Sequence, residues 1–222
     1  MHKDSIAFEA GLLINGYESL ISSSVEPPIP IEDIIEHYLD LQIGFMDFET
    51  IYGLKDVLGA TFVDSRLICV NDSLARNQDE GRLCFTYAHE IGHWVLHIKF
   101  LKNNEISDRS RQSVFCRSKD AKKPIEWQAD YFASCLLMPQ ECIEDAWEKT
   151  FGPAPLVIHN EKGIINGPLY IDPCVDNWHL IAEIVMQAGN FTNVSKQAMI
   201  IRLQELGLIQ NKTHVKIGWR AN

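Results

Sequence analysis

The stretch Phe85–His97, FTYAHEIGHWVLH, decides the fold because it contains two histidines in an HExxH spacing. On an α-helix, His89 and His93 lie on one face about one turn apart, so both imidazoles can reach one metal ion. Glu90 lies on the next helical row, where it could hold a water molecule beside that ion. The histidines flank the apolar stripe of the helix, so the site is expected at the edge of the core, half sheltered. The pattern predicts a zinc hydrolase centre with Glu90 as the general base.

His97 continues the four-residue spacing but does not suit the role of third ligand. On a continuous helix it lies about 12 Å along the axis from His89, whereas zinc–nitrogen bonds are about 2.1 Å long. We therefore predict that His97 is a packed or hydrogen-bonded histidine and does not bind the metal.

The third ligand is expected from a second helix, which is predicted to begin at Pro124. Glu126 lies at its start, where a separate element can close the site from another side. Asp130, one turn later, could accept the free ring N–H of a ligating histidine and so fix its tautomer. This Glu-x-x-x-Asp pairing is the arrangement of gluzincin-type metallopeptidases. We therefore predict Zn²⁺ held by His89, His93 and Glu126, although the same ligands also admit Mn²⁺.

Composition limits the class of protein. The chain of 222 residues suits one domain with a small appendage, and its net charge of −10 argues against nucleic-acid binding over the whole surface. No signal-peptide-like segment opens the chain, and no apolar run approaches the roughly 18 residues that span a bilayer. The six cysteines form no CxxC pair and fit a reducing compartment. We expect a cytoplasmic protein without a membrane partner.

Apolar periodicity predicts helices and a few short strands along the rest of the chain. Strands are expected at Leu41–Phe48, Leu58–Val63 and Arg66–Val70, the last two as a hairpin because two residues separate them. The predicted helices are Ile6–Ile21, Ile31–Leu39, one from about Gly81, Gln140–Lys149, His179–Ala188, and one led by Ser195 as N-cap. The basic stretch Lys102–Lys123 is expected to be a solvated loop, or else a lip that attracts an acidic partner or one bound to nucleic acid.

Two long stretches give the chain a resemblance to a known family. They are Phe85–His97 and Glu126–Pro139, EWQADYFASCLLMP. Supporting features are PIPIEDII at Pro28–Ile35, ICVN at Ile68–Asn71 and VSKQAMIIRLQELGLI at Val194–Ile209. With these residues the chain resembles the ImmA/IrrE metallopeptidases over most of its length.

The resemblance implies a zincin-like α+β fold with a small mixed sheet and a mostly helical C-terminal part. It matches His89 and His93 to the histidine ligands, Glu126 to the third ligand and Glu90 to the catalytic glutamate. One departure is Gln128, which stands where many relatives have a second acid.

The domain prediction follows the same resemblance. We place a zincin-like metallopeptidase domain at residues 1–150. Residues 151–222 are expected to hold an irregular excursion and C-terminal helices that resemble a helix-turn-helix and pack on the same core. Within them Gly152–Asn177 looks longer than the family usually carries there.

The resemblance also implies a function, because members of this family act on one specific partner, a helix-turn-helix transcriptional repressor. We therefore expect a zinc-dependent endopeptidase that hydrolyses a peptide bond in such a repressor and thereby takes part in transcription regulation. The candidates for a further oxyanion donor are His159, Tyr170 and His179, with no choice among them. An edge strand from Leu58–Val70 could hold the substrate by strand addition.

Two other functions stay open. A metal-bearing regulatory protein could act by association with a repressor or DNA, although a structural metal has no need of the base Glu90. A DNA-binding regulator could use Val194–Ile209 as a recognition helix. Its candidate contacts are Lys196, Gln197, Arg202 and Gln204. For this helix we instead expect packing on the core, and we do not expect direct nucleic-acid binding.

Overall fold

The computed structural model describes residues 1–76, 79–103, 113–117, 124–158 and 178–212. Its contacts divide the chain into two compact units. The first consists of Met1–Val25 and Ile29–Leu137, and the second of Glu26–Pro28 and Met138–Asn222. No helix in the described ranges is both long enough and apolar enough to cross a bilayer.

Helices make up most of the first unit. They are α1 (Lys3–Ile21), α2 (Ile31–Asp33) continued by a π-helical turn (Ile34–Tyr38), α3 (Phe48–Tyr52), α4 (Asp72–Arg76), α5 (Glu80–Asn103) and α6 (Pro124–Leu137). α6 packs against both α1 and α5. It does so because its apolar residues recur at helical spacing and are buried, namely Ala129, Phe132, Ala133 and Leu136. α3 was not predicted, and Asp47 caps it by accepting from the Thr50 N–H.

A four-stranded mixed sheet completes the first unit. Its strands are β1 (Gln42–Met46), β2 (Val57–Phe62), β3 (Leu67–Asn71) and β4 (Ser113–Arg117), in the order β1-β3-β2-β4. β1 runs parallel to β3, while β2 runs antiparallel to both β3 and β4. The predicted hairpin is therefore confirmed, and so is the α+β fold class with a small mixed sheet.

Strand β4 corrects two predictions. It lies inside Lys102–Lys123, where the sequence predicted a solvated loop. The prediction missed the short apolar run Val114-Phe115-Cys116 because basic residues lie on both sides of it. It also pairs with β2, while β3 lies between β1 and β2. Both hairpin strands thus have neighbours on each side, so the prediction that Leu58–Val70 offers an edge for strand addition is wrong.

The second unit contains three helices and a pair of short strands in the described ranges. They are α7 (Gln140–Phe151), β5 (Leu156–Ile158), α8 (Trp178–Ala188), α9 (Lys196–Glu205) and β6 (Ile209–Asn211), with β5 and β6 parallel. α8 packs against α7 and α9. The division between the units therefore precedes α7, whereas the predicted boundary at residue 150 lies near its end. Most of Gly152–Asn177 lies outside the described residues.

The contacts of α9 bear on the DNA-binding hypothesis. Ser195 caps the helix, as predicted. Arg202 is buried and donates through Nε to the Met138 carbonyl at 3.1 Å, and Lys196 donates to Glu183 at 2.9 Å. Gln204 also donates to the Ile200 carbonyl at 3.3 Å, so three of the four candidate base contacts are engaged within the second unit, which favours the packing role.

Candidate metal centre

Helices α5 and α6 bring the three predicted ligands together. The potential ligand atoms of His89, His93 and Glu126 all lie within 4.8 Å of one another. The two Nε2 atoms of the histidines are 3.0 Å apart, and Glu126 oxygens lie 3.5 Å from His89 Nε2 and 3.6 Å from His93 Nε2. A carboxylate of the later helix thus faces a pair of imidazoles on the earlier one.

The close approach of the two helices depends on Gly92, between the histidines. A Cβ atom added there would lie 3.0 Å from the Cα atom and 3.2 Å from the carbonyl oxygen of Ala129. Because Ala129 belongs to the turn of α6 that follows Glu126, a side chain at position 92 would press the ligand-bearing helix away. The glycine in HEIGH therefore sets the spacing between the two halves of the cluster.

The outward-facing ring nitrogen of each histidine has a partner. Asp130 Oδ1 lies 2.8 Å from His89 Nδ1, and His97 Nδ1 lies 3.0 Å from His93 Nδ1. The other nitrogen of His97 lies 3.1 Å from Gln128 Oε1. His97 is therefore hydrogen-bonded, as predicted, and it contacts His93 at Nδ1.

Glu90 contacts strand β2 from the helical row of α5 next to the histidines. The Thr61 hydroxyl donates to Glu90 Oε2 at 2.7 Å. Oε1 is buried and accepts no hydrogen bond among the described residues. A Cβ atom on Gly59 would lie 2.6 Å from that same Oε1, so the strand leaves room for the carboxylate only because residue 59 is glycine.

The cluster is more enclosed than the helix pattern predicted. The exposed fraction is 0% for Glu90, 1% for His93 and 2% for Glu126. The expectation of a half-sheltered site is therefore wrong. The physical reason is that α5 packs against β2 and β3 as well as α6, so its polar residues are covered from two directions.

In the cluster, neighbouring groups shift the pKa values of His89 and Glu126 in the direction opposite to that expected from burial. Burial alone would lower the pKa of His89, but the hydrogen bond to Asp130, the Glu126 carboxylate beside the ring and the nearby negative charges raise it to about 10. Burial alone would raise the pKa of Glu126, but the imidazoles of His89 and His93, whose Nε2 atoms lie 3.5 and 3.6 Å from its oxygens, hold it at about 2. Burial lowers the pKa of His97, so this ring is neutral at pH 7. Without a metal ion, the cluster therefore holds a proton on His89 beside the Glu126 carboxylate.

The donor set fits a divalent metal ion. An ionised carboxylate only accepts, so Asp130 assigns a proton to His89 Nδ1 and leaves Nε2 for a metal. Glu126 Oε2 is buried and accepts no hydrogen bond among the described residues. Two imidazoles and one carboxylate are the protein ligands of many catalytic zinc sites, which keep a further position for water.

The described structure does not test the predicted oxyanion donors. His159 and Tyr170 lie outside the described residues. His179 is an exposed residue of α8 and belongs to the second unit. Their role stays a prediction.

The fold and this His-His-Glu cluster are those of a metallopeptidase-type domain. A family model, the IrrE N-terminal-like domain (peptidase M78), matches residues 37–154. The match covers more than half of the 222-residue chain, so the chain belongs to this family, and the predicted family is confirmed. A search among curated proteins found no match to the chain.

Sequence reasoning missed the residues that surround the predicted ones. Thr61 and Gly59 look like ordinary positions of a strand, and a glycine within a strand pattern was the one signal that something approaches the backbone closely. Gln128 was noted only as a departure from relatives. Its contact with His97 joins α6 to α5, and spacing along the chain does not reveal it.

Proposed function

We propose that the protein is a zinc-dependent endopeptidase whose ligands are His89, His93 and Glu126 and whose general base is Glu90. The observation that carries the proposal is the unsatisfied oxygen Glu90 Oε1, which is buried on the helical row next to His89 and His93. A merely structural metal has no need of a base, and a buried carboxylate oxygen without a donor costs about 1–3 kcal/mol. A water molecule that donates to this oxygen during the reaction would remove that cost.

The residues of the chain divide the chemistry among them. A zinc ion bound here would supply Lewis acidity, which acidifies a water molecule and polarises the scissile carbonyl. Glu90 Oε1 accepts the proton of the attacking water and then donates it to the leaving amine. Thr61 keeps the other oxygen of that carboxylate occupied, so the two oxygens have different tasks. Asp130 holds His89 in the tautomer that leaves Nε2 unprotonated once a metal displaces its second proton.

The substrate that we propose is a helix-turn-helix transcriptional repressor, and the reaction would relieve repression. Membership of the IrrE N-terminal-like family supports this choice, because family resemblance implies such partners. Zinc is preferred to manganese because two imidazoles and one carboxylate suit tetrahedral coordination.

The test is Glu90→Gln, which keeps the shape of the side chain and removes the base. The protein is expressed together with the repressor-like proteins encoded beside its gene, and shorter products are identified by mass spectrometry. We expect wild type to yield a cleaved repressor. The variant should lose about 10²–10⁴-fold in rate while retaining its zinc.

The matched control is Glu80→Gln, because Glu80 is an exposed residue in the first turn of the same helix. It should cleave like wild type. If Glu90→Gln still cleaves its partner with zinc bound, the base is wrong. If the variant still relieves repression without cleavage, the protein acts by association, which is the competing function.

A further inference from the structure

The His93 ring nitrogen that faces away from the metal site, Nδ1, is linked to helix α6 through the His97 ring and the Gln128 amide. His93 Nδ1 lies 3.0 Å from His97 Nδ1, and His97 Nε2 lies 3.1 Å from Gln128 Oε1. His93 and His97 are buried, with exposed fractions of 1% and 7%. Water therefore does not readily replace these contacts, and each ring must find its partner within the chain.

The order of the protons along this chain follows from its last member. The structure orients the Gln128 amide with Oε1 towards His97; a carbonyl oxygen only accepts, so in this orientation His97 Nε2 carries the hydrogen. A neutral imidazole has one N–H group, so His97 Nδ1 is an acceptor. It faces His93 Nδ1, which must then donate. His93 Nε2 consequently keeps its lone pair, and this is the atom that faces His89 and Glu126.

The reverse order would disable the ligand. If residue 128 offered a donor to His97, that ring would carry its hydrogen on Nδ1 and donate to His93. His93 would then carry its own hydrogen on Nε2, where a metal must bind. An acceptor at position 128 and a metal-binding His93 are therefore linked through two tautomers.

We propose that Gln128, acting through His97, is a positioning residue that fixes the tautomer of His93 for metal binding. The inference rests on the proposed metal centre and adds a second set of contacts that orients a metal ligand. His89 is held by the anionic Asp130, whereas His93 is held by a neutral imidazole and a neutral amide. Both sets of contacts end on helix α6, at Asp130 and Gln128, four residues or fewer beyond the ligand Glu126. One helix therefore supplies the third ligand and orients the other two.

The first measurement needs no substitution. In the ¹⁵N-labelled metal-free protein, long-range ¹H–¹⁵N correlation spectra distinguish Nδ1–H from Nε2–H histidines. We expect the Nε2–H form for His97, and on His93 a hydrogen on Nδ1. The opposite assignment on either ring would overturn the proposal.

The second measurement uses Gln128→Leu, which removes the acceptor at similar size, and Gln128→Glu, which keeps an acceptor oxygen. Zinc affinity is measured on the full chain by competition with a chromophoric chelator. Loss of a partner behind a metal ligand typically costs about 10–100-fold in metal affinity. We expect about a tenfold loss in Gln128→Leu, together with a mixture of His93 tautomers. Gln128→Glu should bind zinc at least as tightly as wild type.

Gln140→Leu is the matched control, because Gln140 is exposed on α7 and its side chain donates to Glu144 of the same helix. It should leave both readouts unchanged. Wild-type zinc affinity and wild-type tautomers in Gln128→Leu would refute the proposed role of Gln128. Equal losses of affinity in the Leu and Glu variants would also refute it, because they would indicate an effect of packing. If Gln128→Leu does not fold, the wild-type spectrum still decides.

The tautomer readout is independent of cleavage. A reversed tautomer with a Glu90-dependent protease would reject the role of Gln128 and leave the proposed function standing. The predicted tautomers in a protein that cleaves nothing would do the opposite.

Discussion

The two sides of helix α5 are built differently. On the side that faces α6, the outward nitrogens of His89 and His93 are both tied to partners. On the side that faces β2, Glu90 has one oxygen bonded to Thr61 and one buried oxygen without a hydrogen bond among the described residues. A ligand has to be held in one orientation, whereas a base has to be held and still keep a lone pair open.

Close packing on each side depends on a glycine, and a Cβ atom added at these two glycines would contact different atoms. A Cβ on Gly92 would meet backbone atoms of Ala129, while a Cβ on Gly59 would meet the end of the Glu90 side chain. Backbone resists displacement as a whole helix, but a carboxylate can swing away at small cost. The same substitution should therefore damage stability and metal binding on one side and catalysis on the other.

The largest effect is expected for Gly59→Ala. The new methyl group would lie 2.6 Å from Glu90 Oε1 and 2.8 Å from Thr86 Cγ2, so the carboxylate must turn aside. Misplacing a reacting group by about 1 Å can cost about 10²-fold in rate, and we expect a loss of that size in kcat/KM against the cleaved partner. Zinc content and the thermal unfolding midpoint should remain close to wild type.

The control is Gly11→Ala on α1, where an added Cβ meets no atom within 4 Å. It should keep full activity and gain up to about 1 kcal/mol in stability from helix propensity. If Gly59→Ala cleaved at the wild-type rate, the open oxygen of Glu90 would not be the reacting one.

A second effect concerns the proton on the ligand side. The pKa of His89 is raised to about 10 in the metal-free cluster, so at pH 7.5 a proton must leave before Nε2 can bind zinc. Glu126, with a pKa of about 2, contributes none. Apparent zinc affinity should rise about tenfold per pH unit from pH 7 to 9. Calorimetry in buffers of different ionisation enthalpy should count about one proton released, and a count near zero would contradict the prediction.

The same shift sets the stability of the metal-free protein. The folded pKa of His89 lies above its ordinary value of 6.5, so its contribution is fully present below pH 6.5 and is lost as the pH rises through about 10. The folded pKa of Glu126 lies below its ordinary value of 4.5, so its contribution is present above pH 4.5 and is lost as the pH falls towards 2. Denaturant midpoints of the metal-free protein should therefore be highest between about pH 4.5 and pH 6.5, where both contributions are present.

Sequence predicted the parts of this site that depend on spacing along one helix. His89, Glu90 and His93 follow from helical geometry, and Glu126 from the pairing of a second helix with the first. The rest depends on contacts between distant elements. Thr61 reaches Glu90 from a strand 29 positions away, and β4 is a short apolar run within a basic segment. Neither the sheet order nor the partner of a buried carboxylate is written in local periodicity.

The smallest effect is expected for Gly92→Ala, which presses on the ligand side. The added Cβ would lie 3.0 Å from Ala129 Cα and 3.3 Å from its Cβ, so α6 must move by a few tenths of an ångström. Overpacking of this kind typically costs about 1–3 kcal/mol, against about 0.5–1 kcal/mol gained from helix propensity. The unfolding midpoint of the metal-free protein should fall slightly, and zinc affinity should fall about three- to tenfold because Glu126 moves with α6. At saturating zinc kcat should stay near wild type, since Glu90 contacts Thr61 of β2 and does not depend on the position of α6. A large loss of kcat in the zinc-saturated variant would show that the two sides of α5 are not independent.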